Sequence, residues 1–338
     1  MSQHVAIGLN AVIVAANEGQ PKVLVVKHTT ETLLVQQGAV SQRTLPSNSL
    51  PGERDSNNDL KSREALPFGP FYPERHRTLE EGLRSWVAEQ TQQELGYVEQ
   101  LYTFGDQGRV PGEELGGPRV ISVGYLGLVN ETTIPQSLQG HAVWHDWYDY
   151  FPWEDWRSGE PAILQWLKGR ITEWASAAEI GKSEQTSRLE RASIVFGLDD
   201  TPWNGRMVLE RYELLYEAGL VAESPACTDA SQAIQTGRAM TLDHRRILAT
   251  AMGRLRGKIK YRPVVFELMP ESFTLLQLQR CVEGLSGEEL HKQNFRRLVE
   301  SKGLVETTGR TLSQTGGRPA AEFRFRREVL RERQALGF

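Results

Sequence analysis

Two clusters of side chains have the types and spacing that chemistry needs. The first lies in Thr78 to Tyr97, TLEEGLRSWVAEQTQQELGY, where the carboxylates Glu81, Glu89 and Glu94 are interleaved with the amides Gln90 and Gln93. On a helix Gln90, Gln93 and Glu94 fall at i, i+3 and i+4, which is one face. Carboxylates gathered on one face hold magnesium, but the cation wants anionic oxygens and a neutral amide is a poor replacement. This set is therefore short of the charge that metal-assisted phosphoryl chemistry requires. The second cluster, Lys292, Gln293, Asn294, Arg296 and Arg297, is followed by Arg310 and Arg318. Long donors on one helix, with further arginines behind them, suit contact with base edges and phosphates of double-stranded DNA.

Each cluster needs an element to hold it. Val87, Thr91 and Leu95 repeat every four residues, so the first cluster is expected on a helix with one stripe in a core, stopped by Gly96. This stretch resembles the Nudix box, G-x5-E-x7-R-E-U-x-E-E-x-G-U with U aliphatic. With the last glycine of that pattern on Gly96, Glu81 takes the first glutamate and Arg75 replaces the first glycine. Glu89 and Gln90 stand where Arg-Glu belongs, and Gln93 and Glu94 where Glu-Glu belongs. Leu66 to Tyr72, LPFGPFY, lies where Nudix proteins carry Leu-Pro-Gly-Gly, with Phe68 and Pro70 departing from that turn. The resemblance implies a Nudix fold without catalytic residues, resident metal or cofactor.

The second cluster sits in a tail that reads as a winged helix. Thr274 and Gln277 make a capping box, with Phe273 and Leu278 as a hydrophobic staple. Ser286 and Glu289 are spaced for a second capping box. The helix after it, His291 to Lys302, is expected to bury Phe295, Leu298 and Val299 and to expose Gln293, Arg296, Arg297 and Glu300. Gly303 stops it, two short strands follow, and SQTGGRPA between them is a basic wing tip in which Arg318 reaches a minor groove or a phosphate.

Bulk properties agree with a soluble chain. Of its 338 residues 39% are hydrophobic and 24% charged, which suggests one large or two ordinary domains. No apolar run reaches the length of a membrane span, and the first residues lack a signal pattern. Cys227 and Cys281 are too few for a disulfide framework or a four-cysteine zinc site, so a reducing cytoplasm is expected. From Ala251 onward there are 17 Lys and Arg against 10 Asp and Glu, or +7; the formal net charge of −4 leaves −11 for the rest. A basic tail on an acidic body points to nucleic acid at one end.

Between the clusters the chain is read in order. His4 to Ala16 and Pro21 to His28 are expected to form a hairpin, followed by a long surface loop over residues 30–65. Val120 to Val129 is a strong strand. Six of the eight tryptophans fall in residues 141–176; a packed sub-core or dimer surface is favoured over stacking on a nucleobase. Glu160 to Ala178 reads as an amphipathic helix, and Thr201 to Ser224 as another with Pro202 near its start and Gly219 at its end. Leu242 to Tyr261 is a basic amphipathic helix ended by Pro263, either touching DNA phosphates or presenting a solvated face.

The stretch from Tyr102 through the Gly/Pro-rich loop to Val129, the helix 201–224, the run from Leu242 to Leu268, and a tail with Asn294-Phe295-Arg296-Arg297 and Gly317-Arg318-Pro319-Ala320 are similar to the Nudix-related transcriptional regulators of NAD metabolism, the NrtR and NadQ type. The resemblance covers about residues 261–330, with patches over 66–129. It implies an α+β chain: a Nudix-like α/β/α sandwich over residues 1–260 with a helical insertion at about 140–240, then a winged helix-turn-helix domain over 261–338. It further implies a cytoplasmic homodimeric repressor of NAD-synthesis or salvage genes, with a nucleotide such as ADP-ribose or NAD as effector and operator DNA as partner. Arg109, Arg119 and Glu94 would serve the ligand, since guanidinium matches phosphate in a bidentate way. The alternative is an active hydrolase of ADP-ribose or a related nucleotide, with Glu94 and Glu81 or Glu89 on one magnesium ion. A third option is an RNA-binding or scaffold protein.

Overall fold

Alternation along the first two strands dictates the layers. β1 (Val5–Asn17) and β2 (Gln20–His28) form the expected hairpin. Successive strand side chains point to opposite faces. Leu9, Ala11, Ile13, Ala15, Leu24 and Val26 line one face and Val12, Val14, Val23 and Val25 the other, and all are buried. A sheet apolar on both sides must be covered twice. The structure, a computed structural model, describes residues 5–17, 19–28, 63–107, 119–130, 134–259, 264–312 and 319–326.

Among the described residues one mixed sheet runs in the order β3 (Arg63–Ala65), β2, β1, β6 (Arg119–Leu128), β5 (Tyr97–Phe104). β4 (Phe68–Pro70) pairs with β1, and β7 (Ala142–Asp146) pairs with β2. β1 and β6 are parallel from Val5 to Val14, and the other pairings are antiparallel. α1 (Leu79–Thr91) covers the first face with Leu83 and Val87. The second face is covered by the helix His244–Ile259, through Ile247, Leu248, Ala251 and Leu255. The result is the expected α/β/α sandwich.

The intervening chain builds outward from that second helix. α2 (Ile163–Ala175), α3 (Lys182–Phe196), α4 (Val208–Glu217) and α5 (Ala230–Gln235) precede it, so it is α6. α2, α3 and α4 contribute Leu164, Leu167, Ile171, Ala192, Val195, Tyr212 and Leu215 to the same core. Trp147 and Trp153 are wholly buried there, which favours packing for the tryptophan-rich stretch.

Several local expectations are corrected. Arg63–Ala65 is a strand, while the remainder of the expected 30–65 loop lies outside the described residues. α4 starts at Val208, not near Pro202. Gly197, in the left-handed region, ends α3, and its ideal Cβ would lie 3.0 Å from the Trp203 nitrogen; Pro202 thus belongs to the turn that leaves α3. α6 is not a wholly solvated or DNA-facing basic helix, because Arg245, Arg246, Arg256 and Lys258 are paired within the protein, while Arg254 is exposed and donates to the Leu101 carbonyl at 3.3 Å. Arg245 is fully buried and meets Glu223 at 3.1 Å, and Arg246 meets Asp106 at 2.6 Å. Arg256 meets Glu154 at 2.5 Å, and Lys258 pairs with Glu99. Lys260 and Pro263 lie outside the described residues.

The tail folds as a winged helix. α7 (Leu275–Ser286) carries the expected capping box, Thr274 with Gln277. α8 (Lys292–Ser301) follows, then the hairpin of β8 (Val305–Leu312) and β9 (Ala320–Phe325). Phe273 joins it as a third-strand bridge, exchanging both backbone bonds with Phe323. The second capping box is not made: Ser286 is the last residue of α7, its hydroxyl accepts from the Glu288 nitrogen, and the N-cap of α8 is His291. The apolar cluster continues without a break from Val12 and Leu248 to Leu285, Phe295, Val299 and Phe325.

Candidate functional site

The first cluster is built around α1, and its amides are used for packing. Gln90 is buried; its Nε2 donates to the Phe68 carbonyl at 2.6 Å and its Oε1 accepts from the Phe68 nitrogen at 3.1 Å. An amide can donate and accept on one backbone residue in this way, which an ionised carboxylate cannot. A carboxylate here would face the Phe68 carbonyl with another acceptor. Trp86, one turn earlier, donates to the Pro70 carbonyl at 2.9 Å and covers Gly69, whose ideal Cβ would lie 2.3 Å from the indole. β4, the segment that departs from Leu-Pro-Gly-Gly, is therefore clamped to α1 as a strand.

α1 is also shorter than the sequence suggests. It ends at Thr91, with Gln92 in the left-handed region at φ 54° and its N–H on the Ala88 carbonyl. Gly96 is not the stop, and Gln93 and Glu94 do not share a helical face with Gln90. Arg84 explains how the turn holds without a glycine: its guanidinium reaches the carbonyls of Leu95 and Gly96, and Glu80 accepts from its Nε at 2.9 Å. Gln93 is buried, whereas Glu81, Glu89 and Glu94 are exposed. Among the described residues no three His, Cys, Asp or Glu side chains gather as a cation site. With the Gln90 amide committed to Phe68, the donor set offers fewer anionic oxygens than magnesium wants.

The ligand residues named from the sequence do not form one cradle. Arg119 opens β6 and donates from Nη2 to the Gly105 carbonyl at 2.5 Å, just past the end of β5. Arg109 lies outside the described residues. Glu94 precedes Tyr97, which pairs with Leu128 at the far end of β6. Ten residues of strand span roughly 30 Å, so Glu94 is not beside Arg119. A shallow cleft of about 450 Å³ runs along α1, lined by Thr78, Glu80, Glu81, Arg84, Ser85 and Ala88.

Beneath Phe68 lies a group that sequence reading missed. His244 opens α6, and its Nδ1 accepts from the Leu66 nitrogen at 2.9 Å. Its ring meets Phe68 edge-on at 4.8 Å between centroids, and His28 meets the other side of Phe68 at 5.4 Å. Burial, and then the neighbouring imidazole, lowers His244 to about 3. Burial, with His141 second, lowers His28 to about 4. Both rings are neutral at pH 7. Histidines at positions 28 and 244 show no paired spacing, so no local signal could have found them.

The second cluster is built differently. α8 buries Phe295 and Val299 and leaves Lys292, Gln293, Asn294, Arg296 and Arg297 exposed. Leu298, expected inside, is 50% exposed, because the buried stripe advances from Phe295 to Val299 by four residues and leaves position 298 beside it. Arg297 donates to Asn294 at 3.2 Å within the exposed face. Arg310 on β8 is exposed, and Arg318 lies outside the described residues. Phe266 and Phe273 meet Phe325 as tilted rings with centroids 3.7 and 4.5 Å away, and Glu322 accepts from Ser272 at 2.8 Å and Thr308 at 2.5 Å. Phe295 and Val299 of α8 belong to the same apolar cluster as Phe273 and Phe325, while the polar face of the helix stays exposed.

Comparison with known proteins agrees with both halves. Residues 265–325 match the sequence model of the NrtR DNA-binding winged helix domain. A stretch of 86 residues is 38% identical to the ADPR responsive transcriptional repressor NtrR of Acinetobacter baylyi. It covers 25% of this chain and 34% of that protein, so the match spans about a third of the relative's length. The fold of the whole chain is similar to that of Shewanella oneidensis NrtR in complex with a 27mer DNA, with a TM-score of 0.51 at 19% identity over 96% of this chain and 94% of the other. It is also similar to a MutT/nudix family protein from Enterococcus faecalis, with a TM-score of 0.50 at 14% identity over 96% and 90%. At such identities the structural likeness shows the fold: a Nudix sandwich with a C-terminal winged helix.

Proposed function

We propose that this chain is a nucleotide-responsive transcriptional repressor of NAD-synthesis or salvage genes, acting in the cytoplasm as a homodimer. Its winged helix binds operator DNA, and its Nudix-like half binds an effector such as ADP-ribose or NAD. The observation that carries the reading is α8: five long polar side chains stand exposed on a helix whose fold matches a DNA-binding domain. Lys292, Gln293, Asn294, Arg296 and Arg297 meet the major groove, and Arg310, with Arg318 in the wing, meets the backbone. The Acinetobacter relative, named for its response to ADPR, supports the choice of effector class.

Arg119, with Arg109, contacts the effector phosphates, and Glu94 is left out of that contact because it stands at the other end of β6. The Nudix-like half binds without turnover. Gln90, at the position of a metal-binding glutamate, has both amide atoms committed to Phe68. An effector can shift DNA binding only through unequal affinity for two arrangements of the protein. The test is an operator titration read by fluorescence anisotropy with ADP-ribose, NAD and ATP in turn. ADP-ribose or NAD is expected to weaken the complex; no change with any of the three removes the regulatory part. Release of AMP from ADP-ribose with magnesium, lost on Glu94→Gln, would establish the hydrolase instead.

A further inference from the structure

The DNA-reading end of the chain is joined to the sensor half through a buried charge knot. Glu154, in the short turn Pro152–Glu154, is completely buried, as is Arg211 of α4. Arg211 donates from Nε to Oε1 at 2.5 Å and from Nη2 to Oε2 at 3.0 Å. Arg256 of α6 donates from Nη1 to the same Oε2 at 2.5 Å and from Nη2 to the Glu154 carbonyl at 3.0 Å. Burial works against the Glu154 charge, but the two guanidiniums outweigh it and hold the carboxyl below its usual range.

This knot grips the end of α7. Arg256 Nε donates to the Leu285 carbonyl at 3.3 Å, and the Tyr148 hydroxyl donates to the Gly284 carbonyl at 2.7 Å. The Trp156 nitrogen donates to the Gly287 carbonyl at 2.8 Å. The last carbonyls of a helix have no partner within it, and here the sensor half supplies one for each of these three. Contact is flush: an ideal Cβ at Gly284 would lie 2.2 Å from the Gly19 carbonyl, and one at Gly287 would lie 2.5 Å from the Glu154 carbonyl. At its other end α6 begins with His244, which touches Phe68, the residue that Gln90 anchors on α1. A helix of 16 residues spans about 24 Å. One rigid rod thus runs from the anchor of α1 to the end of α7.

We propose that the Tyr148–Glu154–Arg256 knot is the joint through which α6 transmits a change in the sensor half to α7 and thereby sets the position of α8. Its members are positioning residues for the effector response and do not contact DNA. A buried ion pair adds little net stability over apolar packing, so orientation is what this one contributes. The inference rests on the reading that a nucleotide in the Nudix-like half weakens operator binding.

The test uses the full chain as wild type, Tyr148→Phe and Arg256→Lys. Operator affinity is measured by anisotropy with and without ADP-ribose, and hydrogen exchange is followed at the amides of residues 285–290. Both variants are expected to bind operator alone within about two-fold of wild type, while the weakening caused by ADP-ribose shrinks by about five-fold or more. Amides at the end of α7 should exchange about ten-fold faster, with those of β8 and β9 unchanged. An undiminished ADP-ribose effect in Tyr148→Phe overturns the proposal; that variant removes a single hydroxyl, so it decides the matter should Arg256→Lys not fold. A wild type deaf to ADP-ribose defeats the functional reading instead. Exchange then decides the joint, and equal rates at the end of α7 in Tyr148→Phe and wild type would overturn it.

Discussion

α1 and α8 are both helices with long polar side chains, yet they spend them in opposite ways. On α1 the buried Gln90 is saturated by the Phe68 backbone and Arg84 is committed to the carbonyls of Leu95 and Gly96. On α8 the polar residues from Lys292 to Arg297 lie exposed, with Arg297 donating to the Asn294 side chain. A polar group satisfied inside the fold contributes to stability and has little left for a ligand. One that remains hydrated can exchange water for a partner. The contrast separates a helix whose polar groups are spent within the fold from one whose polar groups remain exposed.

The contrast is broken or sharpened first at Gln90. Gln90→Glu replaces a buried donor by a second acceptor facing the Phe68 carbonyl, so folding stability should fall by about 2–4 kcal/mol. Urea unfolding reads this, and a loss under about 0.5 kcal/mol would show that the amide is not structural. Magnesium should not rescue the variant or confer hydrolysis of ADP-ribose. On α8 the effects are expected in binding instead. Arg296→Ala and Arg297→Ala should each cost about 1–3 kcal/mol of specific operator affinity, with unfolding midpoints close to wild type. Unaltered affinity in both would mean that another element reads the bases.

A third effect follows from the imidazoles beside α1. His28 and His244 are lowered from 6.5 to about 4 and about 3 by burial first, so the unfolded chain binds their protons more readily. Their stabilisation is fully present above about pH 6.5 and is lost as pH falls through about 4 for His28 and about 3 for His244, by up to about 1.4 kcal/mol per pH unit for each ring. Melting temperatures at pH 7 and pH 5 test the sign, and a higher value at pH 5 would contradict it. The smallest change is expected at Arg310. If it meets only phosphate, Arg310→Ala should weaken all DNA sequences alike and reduce the slope of log affinity against log salt by about one.

What could be read in advance was local. Two β-rich runs separated by Asn17 to Gln20 mark β1 and β2, the four-residue stripe marks α1, and Thr274 with Gln277 marks the start of α7, because each signal lies within a few residues of what it determines. The end of α1 was misread because a glycine is the usual left-handed cap, whereas here Gln92 adopts that conformation and Arg84 reaches forward to secure the turn. The role of α6 was misread for a different reason. Its arginines look like a solvated or DNA-facing set until their partners are known, and Glu154 stands 102 residues away from Arg256. Nothing in the period or composition of either segment announces that pairing.

The contact between Gly19 and Gly284 has a consequence for modularity. The tip of the β1–β2 hairpin and α7 approach so closely that neither position has room for a side chain. A winged helix cut free and joined to another body would expose the α7 surface that now rests on the hairpin. It would also lose the partners of its helix-end carbonyls. Descendants of this chain could vary the exposed residues of α8 without disturbing that contact. Exchange of the whole reading unit between relatives would succeed only where the hairpin tip travels with it.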